Sequence, residues 1–186
     1  MNSYIIEGGH RLEGKIEVAG SKNATLPIIA ATILNKGVSI IKNVPNIRDV
    51  KMMCSILETV GCKIKREEDW ILVDATNITS SEIPENLMHE MRSSVIIAGA
   101  LLGRLHECRF TYPGGCEIGS RPINLHLEAF RQLGVSIKEE NGFIECESSN
   151  LVGTEIVLDF PSVGATENIM LASCLRSEER RVGKEC

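Results

Sequence analysis

Among seven cysteines, Cys116 stands apart by its surroundings, in the run Tyr112-Pro113-Gly114-Gly115-Cys116-Glu117-Ile118-Gly119-Ser120-Arg121-Pro122-Ile123-Asn124-Leu125-His126. Two adjacent glycines and a third after Ile118 describe a turned or mobile loop, and Pro122 fixes the approach to whatever follows. A loop thiol with Arg121 five residues on has the electropositive, accessible setting that lowers thiol pKa, so it can serve as an acid or a nucleophile. Two further cationic sites stand at the starts of apolar helical patterns. Lys22 and Asn23 open one with no carboxylate close by in sequence, and Arg92 opens another within Met91-Arg92-Ser93-Ser94. An ammonium, an amide and a planar guanidinium at helix mouths suit phosphate or carboxylate. The bland alternatives are solvated lysine, helix caps and a chance loop cysteine.

The elements that would hold these residues recur. Hydrophobic period predicts a strand at 15–18, a helix at 24–35, a strand at 38–42, a helix at 48–60 and strands at 63–65 and 70–73. A helix at 93–102, a strand at 108–111, a helix at 124–133 and strands at 135–138 and 143–146 repeat that order. A third round starts with a strand at 155–158 and a helix opening near Ala165. The unit is roughly 70 residues, longer than solenoid repeats. Gly61 and Gly134 take the same place at the ends of their helices, where glycine tolerates positive φ. Ser21-Lys22-Asn23-Ala24-Thr25 matches Ser162-Val163-Gly164-Ala165-Thr166. Each repeat thus offers a polar loop leading into a helix N-terminus, and three such loops converging would suit a substrate with several phosphates.

Composition narrows the classes. The 186 residues are 43% hydrophobic and 24% charged, ordinary for a globular domain. A net charge of −5 gives no general attraction for phosphate backbones, so nucleic-acid binding is not expected. No run of about 18 apolar residues offers a membrane span, and the first 20 residues lack a signal-peptide core, so no membrane association and a cytoplasmic location are expected. No cysteines form C-x-x-C, and His10, His89 and His106 lack metal-ligand spacing with them, so no metal is expected. Apart from Cys116 the cysteines read as reduced, buried small residues, and His126 reads as a helix-first-turn residue that caps or packs.

The glycine-glycine-cysteine, x, isoleucine-glycine, x, arginine-proline, x, x, leucine-histidine pattern from Gly114 to His126 is similar to the active-site loop of UDP-N-acetylglucosamine 1-carboxyvinyltransferases. Ser21 to Ala24 with Leu26-Pro27, Asn43-Val44-Pro45, Met91 to Ser94 and Ser162 to Thr166 resemble that family's other motifs in the same order. The likeness runs from about Ile5 to Leu175. It implies an inside-out α/β barrel lobe of three repeats, the third truncated, acting in peptidoglycan synthesis. It also implies the substrates phosphoenolpyruvate and UDP-N-acetylglucosamine, with no cofactor. By the resemblance Cys116 is the general acid at the enolpyruvyl methylene carbon, able also to form a covalent adduct. Lys22, Asn23 and Arg121 hold phosphoenolpyruvate. Arg92, Arg121, Pro122, Ile123, Asn124, Leu125, Ser162, Val163 and Gly164 bind the nucleotide sugar. Asn124 and Phe160 stand where some members have a carboxylate and a lysine.

The same resemblance places the aspartate base for the sugar hydroxyl in a second lobe. Residues 1–20 are then expected to carry a strand belonging largely to that lobe, and 21–175 the cysteine-bearing lobe. Residues 176–186 are expected to be a non-native tail, because their charge density breaks the helical pattern and they back-translate into a common sequencing-adapter read-through. Two alternatives stay open: a silent nucleotide-sugar-binding fragment, and the sister transferase acting on shikimate 3-phosphate, whose family lacks the Gly-Gly-Cys loop.

Overall fold

The computed structural model describes residues 3–11, 13–114 and 123–175, and of Arg92 the backbone alone. Two units of the same design follow one another. The first is α1 (Lys22–Ala31) with a 3-10 turn (Thr32–Leu34), β1 (Val38–Lys42), α2 (Arg48–Thr59), β2 (Lys63–Arg66) and β3 (Trp70–Asp74). After a short helix, α3 (Glu85–Glu90), and a 3-10 turn (Arg92–Val95) come α4 (Ile96–Leu105), β4 (Glu107–Thr111), α5 (Asn124–Gln132), β5 (Ser136–Glu140) and β6 (Phe143–Glu147). Helix α6 (Val163–Ser173) opens a third unit.

Each sheet has three strands, and the last strand in sequence lies in the middle: β1-β3-β2 and β4-β6-β5, antiparallel at every step. The outer two strands of each sheet are therefore parallel to one another and joined by a crossover helix, α2 or α5. Those helices are amphipathic. Val50, Met53, Ile56 and Leu57 on α2, and Leu127, Ala129 and Phe130 on α5, are buried. Alternation along the strands puts Ile71, Val73, Phe110 and Ile144 into the core, while Val38 and Ile40 stay exposed on the other face.

The two crossover helices end identically. The Cys62 N–H bonds the Leu57 carbonyl at 2.9 Å and the Val135 N–H bonds the Phe130 carbonyl at 3.0 Å. Between them Gly61 and Gly134 sit at φ of 108° and 84°, the left-handed turn that glycine permits without strain. The starts of the first and third units match as well. Thr25 and Thr166 each donate a hydroxyl hydrogen bond to the carbonyl four residues back, Ser21 at 2.8 Å and Ser162 at 2.9 Å. The repeat read from sequence is therefore real down to individual hydrogen bonds.

The first helices of the three units form the interior, with α4 packed against both α1 and α6. Ile96 to Gly103 on α4 are all buried, which explains why that helix is apolar on every side. Arg104 ties its end to the first unit, donating to the Ile33 carbonyl at 3.0 Å and the Ala75 carbonyl at 3.1 Å. Small residues set the α4–α6 spacing. A Cβ on Gly103 would stand 2.7 Å from the Leu171 carbonyl oxygen, and one on Gly99 would run into both the side-chain and main-chain oxygens of Asn168. Gly99→Ala is expected to destabilise the full-length protein by about 1–3 kcal/mol through this overpacking, read as a lowered denaturant midpoint at unchanged slope. An unshifted midpoint would mean the two helices can part freely.

Several expected elements differ. The strand at 15–18 is not formed: Ile16 and Val18 are 91% and 83% exposed, with no ladder partner among the described residues. The strand at 155–158 is likewise absent, for residues 151–158 have no ladder partner among the described residues. The helix expected at 24–35 starts at Lys22 and tightens into a 3-10 turn at Thr32, and the one expected at 93–102 is a 3-10 turn that becomes α only at Ile96. Helix α3 was not expected, six residues being too short to show a period.

Candidate functional site

The N-terminal ends of the inner helices and of α5 face one cleft of about 1000 Å³. Lys22 and Asn23 of α1, Ser93 of the turn before α4, Asn124, Leu125 and His126 of α5, and Ser162, Val163 and Gly164 at the start of α6 all line it. The order of repeats brings them together: each unit starts its inner helix at the same end, so the unpaired N–H groups and positive dipole ends of successive helices accumulate there. Such a mouth favours anions.

Local sequence shapes each mouth. Ser162 is extended (φ −140°, ψ 111°) and its Oγ accepts from the Ala165 N–H at 3.3 Å, capping α6. Ser21 makes no such side-chain cap on α1. Pro27 lies inside α1 and withholds the N–H that would bond the carbonyl of Asn23. The Lys22 ammonium is not free: its Nζ donates to Asp49 Oδ2 at 2.7 Å, with Lys22 about half exposed. Asp49 begins α2, 27 positions further along the chain, so sequence proximity could not reveal the pairing. Arg48 and Glu90 pair beside it, joining α2 to α3. Glu167 also lines the cleft, and burial pushes its carboxyl above the ordinary carboxylate range.

Three carboxylates, Asp49, Glu90 and Glu167, therefore share this wall with Lys22, and none was anticipated. A bound anion must take its stabilisation from Lys22 and the helix mouths against that background.

Of the expected site residues, Lys22, Asn23, Asn124, Leu125, Ser162, Val163 and Gly164 meet in the cleft. Ile123 does not line it. It is 2% exposed and packs into the core just ahead of α5, so any ligand contact there falls to its backbone. Arg92 opens the 3-10 turn that stands in place of the expected helix start, while its side chain lies outside the described residues. Cys116, Arg121 and Pro122 also lie outside them. The described chain on either side of them is anchored: before them the Gly114 N–H bonds the Met88 carbonyl at 3.2 Å, and after them His126 lines the cleft from the first turn of α5.

His126 is held more firmly than a packing role requires. Its Nδ1 lies 2.9 Å from Nδ2 of Asn168, a side chain with no solvent exposure in the middle of α6. Among the described thiols, those of Cys54, Cys62, Cys108 and Cys146 are buried. Burial pushes Cys54 and Cys62 up to about 11, and Cys108, opposite Cys146 across the β4–β6 pair, is raised by burial and by that neighbour. Cys174 is the departure from the buried reading, since it is exposed at the end of α6.

Comparison with known proteins agrees with the fold and the motifs. The EPSP synthase (3-phosphoshikimate 1-carboxyvinyltransferase) family model matches residues 6–184. UDP-N-acetylglucosamine 1-carboxyvinyltransferase 2 of Caldanaerobacter subterraneus is 53% identical over 94% of this chain, and the enzyme of the same name from Carboxydothermus hydrogenoformans is 43% identical over 94%. The chain spans 42% of the length of each of these relatives. Among solved structures, EPSP synthase from Acinetobacter baumannii superposes with a TM-score of 0.69 at 17% identity, over 88% of this chain and 38% of that one. The enolpyruvyl transferase NikO from Streptomyces tendae gives 0.63 at 22%, over 77% and 32%. At those identities the structures speak for the fold alone, an enolpyruvyl-transferase lobe. With nearly its whole length matched, the chain belongs to the EPSP synthase (3-phosphoshikimate 1-carboxyvinyltransferase) family, and its 43–53% identical relatives are UDP-N-acetylglucosamine 1-carboxyvinyltransferases.

Proposed function

We propose that the full-length protein carrying this lobe transfers the enolpyruvyl group of phosphoenolpyruvate to the 3-hydroxyl of UDP-N-acetylglucosamine, releasing phosphate, in peptidoglycan synthesis in the cytoplasm. The observation that carries the reading is the meeting of Lys22, Asn23, Asn124 and Ser162 to Gly164, drawn from three repeats, in one cleft. Both substrates are polyanions, and helix mouths with a lysine offer fixed donors that need no reorganisation as charge shifts.

In this reading the Cys116 thiol gives a proton to the methylene carbon of phosphoenolpyruvate while the sugar hydroxyl, yielding its proton to the aspartate base expected in the second lobe, bonds through oxygen to the adjacent carbon. The resulting tetrahedral intermediate then loses phosphate, and a methyl proton returns to the thiolate, to leave the enol ether. Arg121 and Lys22 hold the phosphate that departs. The Lys22 pairing with Asp49 keeps the ammonium at the mouth of α1, and an arriving phosphate competes with that carboxylate for it.

The full-length protein is expected to release inorganic phosphate from phosphoenolpyruvate when UDP-N-acetylglucosamine is supplied, and not when shikimate 3-phosphate is supplied. The family model carries the name of the sister reaction, so the two acceptors should be assayed side by side. Release with shikimate 3-phosphate alone would assign the protein to that reaction. Release with neither would favour a silent nucleotide-sugar-binding protein.

A further inference from the structure

Asn168 is a polar residue with no solvent exposure in an otherwise apolar stretch of α6, and its side chain meets three different elements. Its Oδ1 accepts from the Gly99 N–H of α4 at 2.8 Å. Its Nδ2 donates to the Val95 carbonyl at 3.0 Å and lies 2.9 Å from Nδ1 of His126 on α5. The orientation of the amide follows from its backbone partners. An N–H can only donate and a carbonyl can only accept, so oxygen must face Gly99 and nitrogen must face Val95. The second hydrogen of that nitrogen then points at Nδ1 of His126, which must offer a lone pair.

An imidazole that accepts at Nδ1 carries its proton at Nε2. The Nε2 and Cε1 edge is the one turned toward Gly164: a Cβ built there would stand 3.7 and 3.4 Å from those atoms. That edge lies in the cleft wall, beside the N-terminus of α6. We infer that Asn168 is a positioning residue that fixes His126 as the Nε2–H tautomer, so that the α5–α6 corner of the cleft presents a proton donor to an anionic oxygen of the substrate. With the opposite tautomer the same edge would present a lone pair and repel that oxygen. The substrate part of this inference rests on the polyanionic substrates proposed above; the tautomer does not.

The burial of Asn168 gives the arrangement its strength, because no water is available to replace either partner of the amide. Its position also explains the close approach at Gly99, where any side chain would displace the amide. One residue thereby holds the cleft ends of α4, α5 and α6 in a common register.

The direct test is the nitrogen-15 spectrum of histidine-labelled full-length protein without substrate. His126 is expected to show a protonated Nε2 and an unprotonated Nδ1; a proton on Nδ1 overturns the inference whatever the enzyme's substrates are. Kinetics supply the second arm, with KM measured separately for phosphoenolpyruvate and the nucleotide sugar. His126→Ala should raise KM for one of them about tenfold or more, the size of one hydrogen bond to a charged group. Asn168→Ala should do likewise and also lower thermal stability. In the double variant the KM losses should not multiply, while the stability loss of Asn168→Ala persists. Losses in KM that multiply, or unchanged KM for both substrates in His126→Ala, would reduce Asn168 to a structural residue.

Discussion

Cys116→Ser in the full-length protein is expected to lower turnover by about 10²–10⁴-fold, the range over which a positioned general acid contributes. A hydroxyl has nearly the size of a thiol but gives up its proton far less readily, so binding should survive while proton delivery to the enol carbon fails. The loss should therefore fall on kcat more than on KM. Cys116→Asp should restore much of the activity, because a carboxylic acid can deliver the same proton. The thiol itself should be the first to react with an electrophile. Its rivals Cys54 and Cys62 are buried with pKa near 11, and Cys108 is raised by burial and its neighbour Cys146. Exposed Cys174 at the end of α6 is the accessible control. Peptide mass spectrometry after brief labelling decides the matter. Modification of Cys54, Cys62 or Cys174 ahead of Cys116 would count against an activated thiol, and full turnover in the serine variant would remove it from the chemistry.

The second large effect concerns residues 1–175 expressed alone, which are expected to unfold over a broad, low-temperature transition and to show no turnover. Near the start of the chain Tyr4, Ile5, Ile16 and Val18 are almost fully exposed, and Met170 on α6 is 63% exposed. Side chains of this kind each contribute about 1.5–3 kcal/mol when buried, and together they approach the about 5–15 kcal/mol that holds a typical domain. Leu171 is buried against the inner helices while Met170 is not, so α6 is covered on one side only. Activity should fail for a separate reason. The chain spans 42% of its relatives' length, and the base for the sugar hydroxyl is expected from the lobe beyond. Calorimetry and a phosphate-release assay test the two halves. A sharp transition with substantial turnover would show that this lobe is sufficient by itself.

Much of the architecture was legible because it is local. Periodicity marked α2, α5 and the strands of both sheets, since an amphipathic helix or an alternating strand writes its buried face directly into sequence. Gly61 and Gly134 marked equivalent helix ends because only the left-handed turn there demands glycine. The Ser21 and Ser162 segments marked equivalent helix starts, and both threonines make the same local bond to the carbonyl four residues back. The strands expected at 15–18, whose sheet is expected in the second lobe, and at 155–158 are not formed among the described residues, for the complementary reason. A strand is completed by its neighbours, and apolar alternation without a ladder partner leaves irregular chain.

What sequence by itself determined was thus the repeat, the helix mouths and residue types at them, Lys22, Asn23 and Ser162 to Gly164 among them, while the Cys116 segment it singles out lies outside the described residues. Tertiary structure alone decided how those mouths meet and what else meets there. Asp49 reaches Lys22 from another helix, Glu90 and Glu167 add charge to the same wall, and Ile123 turns into the core instead of the cleft. Asn168 shows the division most clearly. Along the chain it is one amide in an apolar helix, lying 42 residues from His126 and 69 from Gly99. Hydrogen bonds depend on distance in space, and only the packing of α4, α5 and α6 brings those three groups within reach of one side chain.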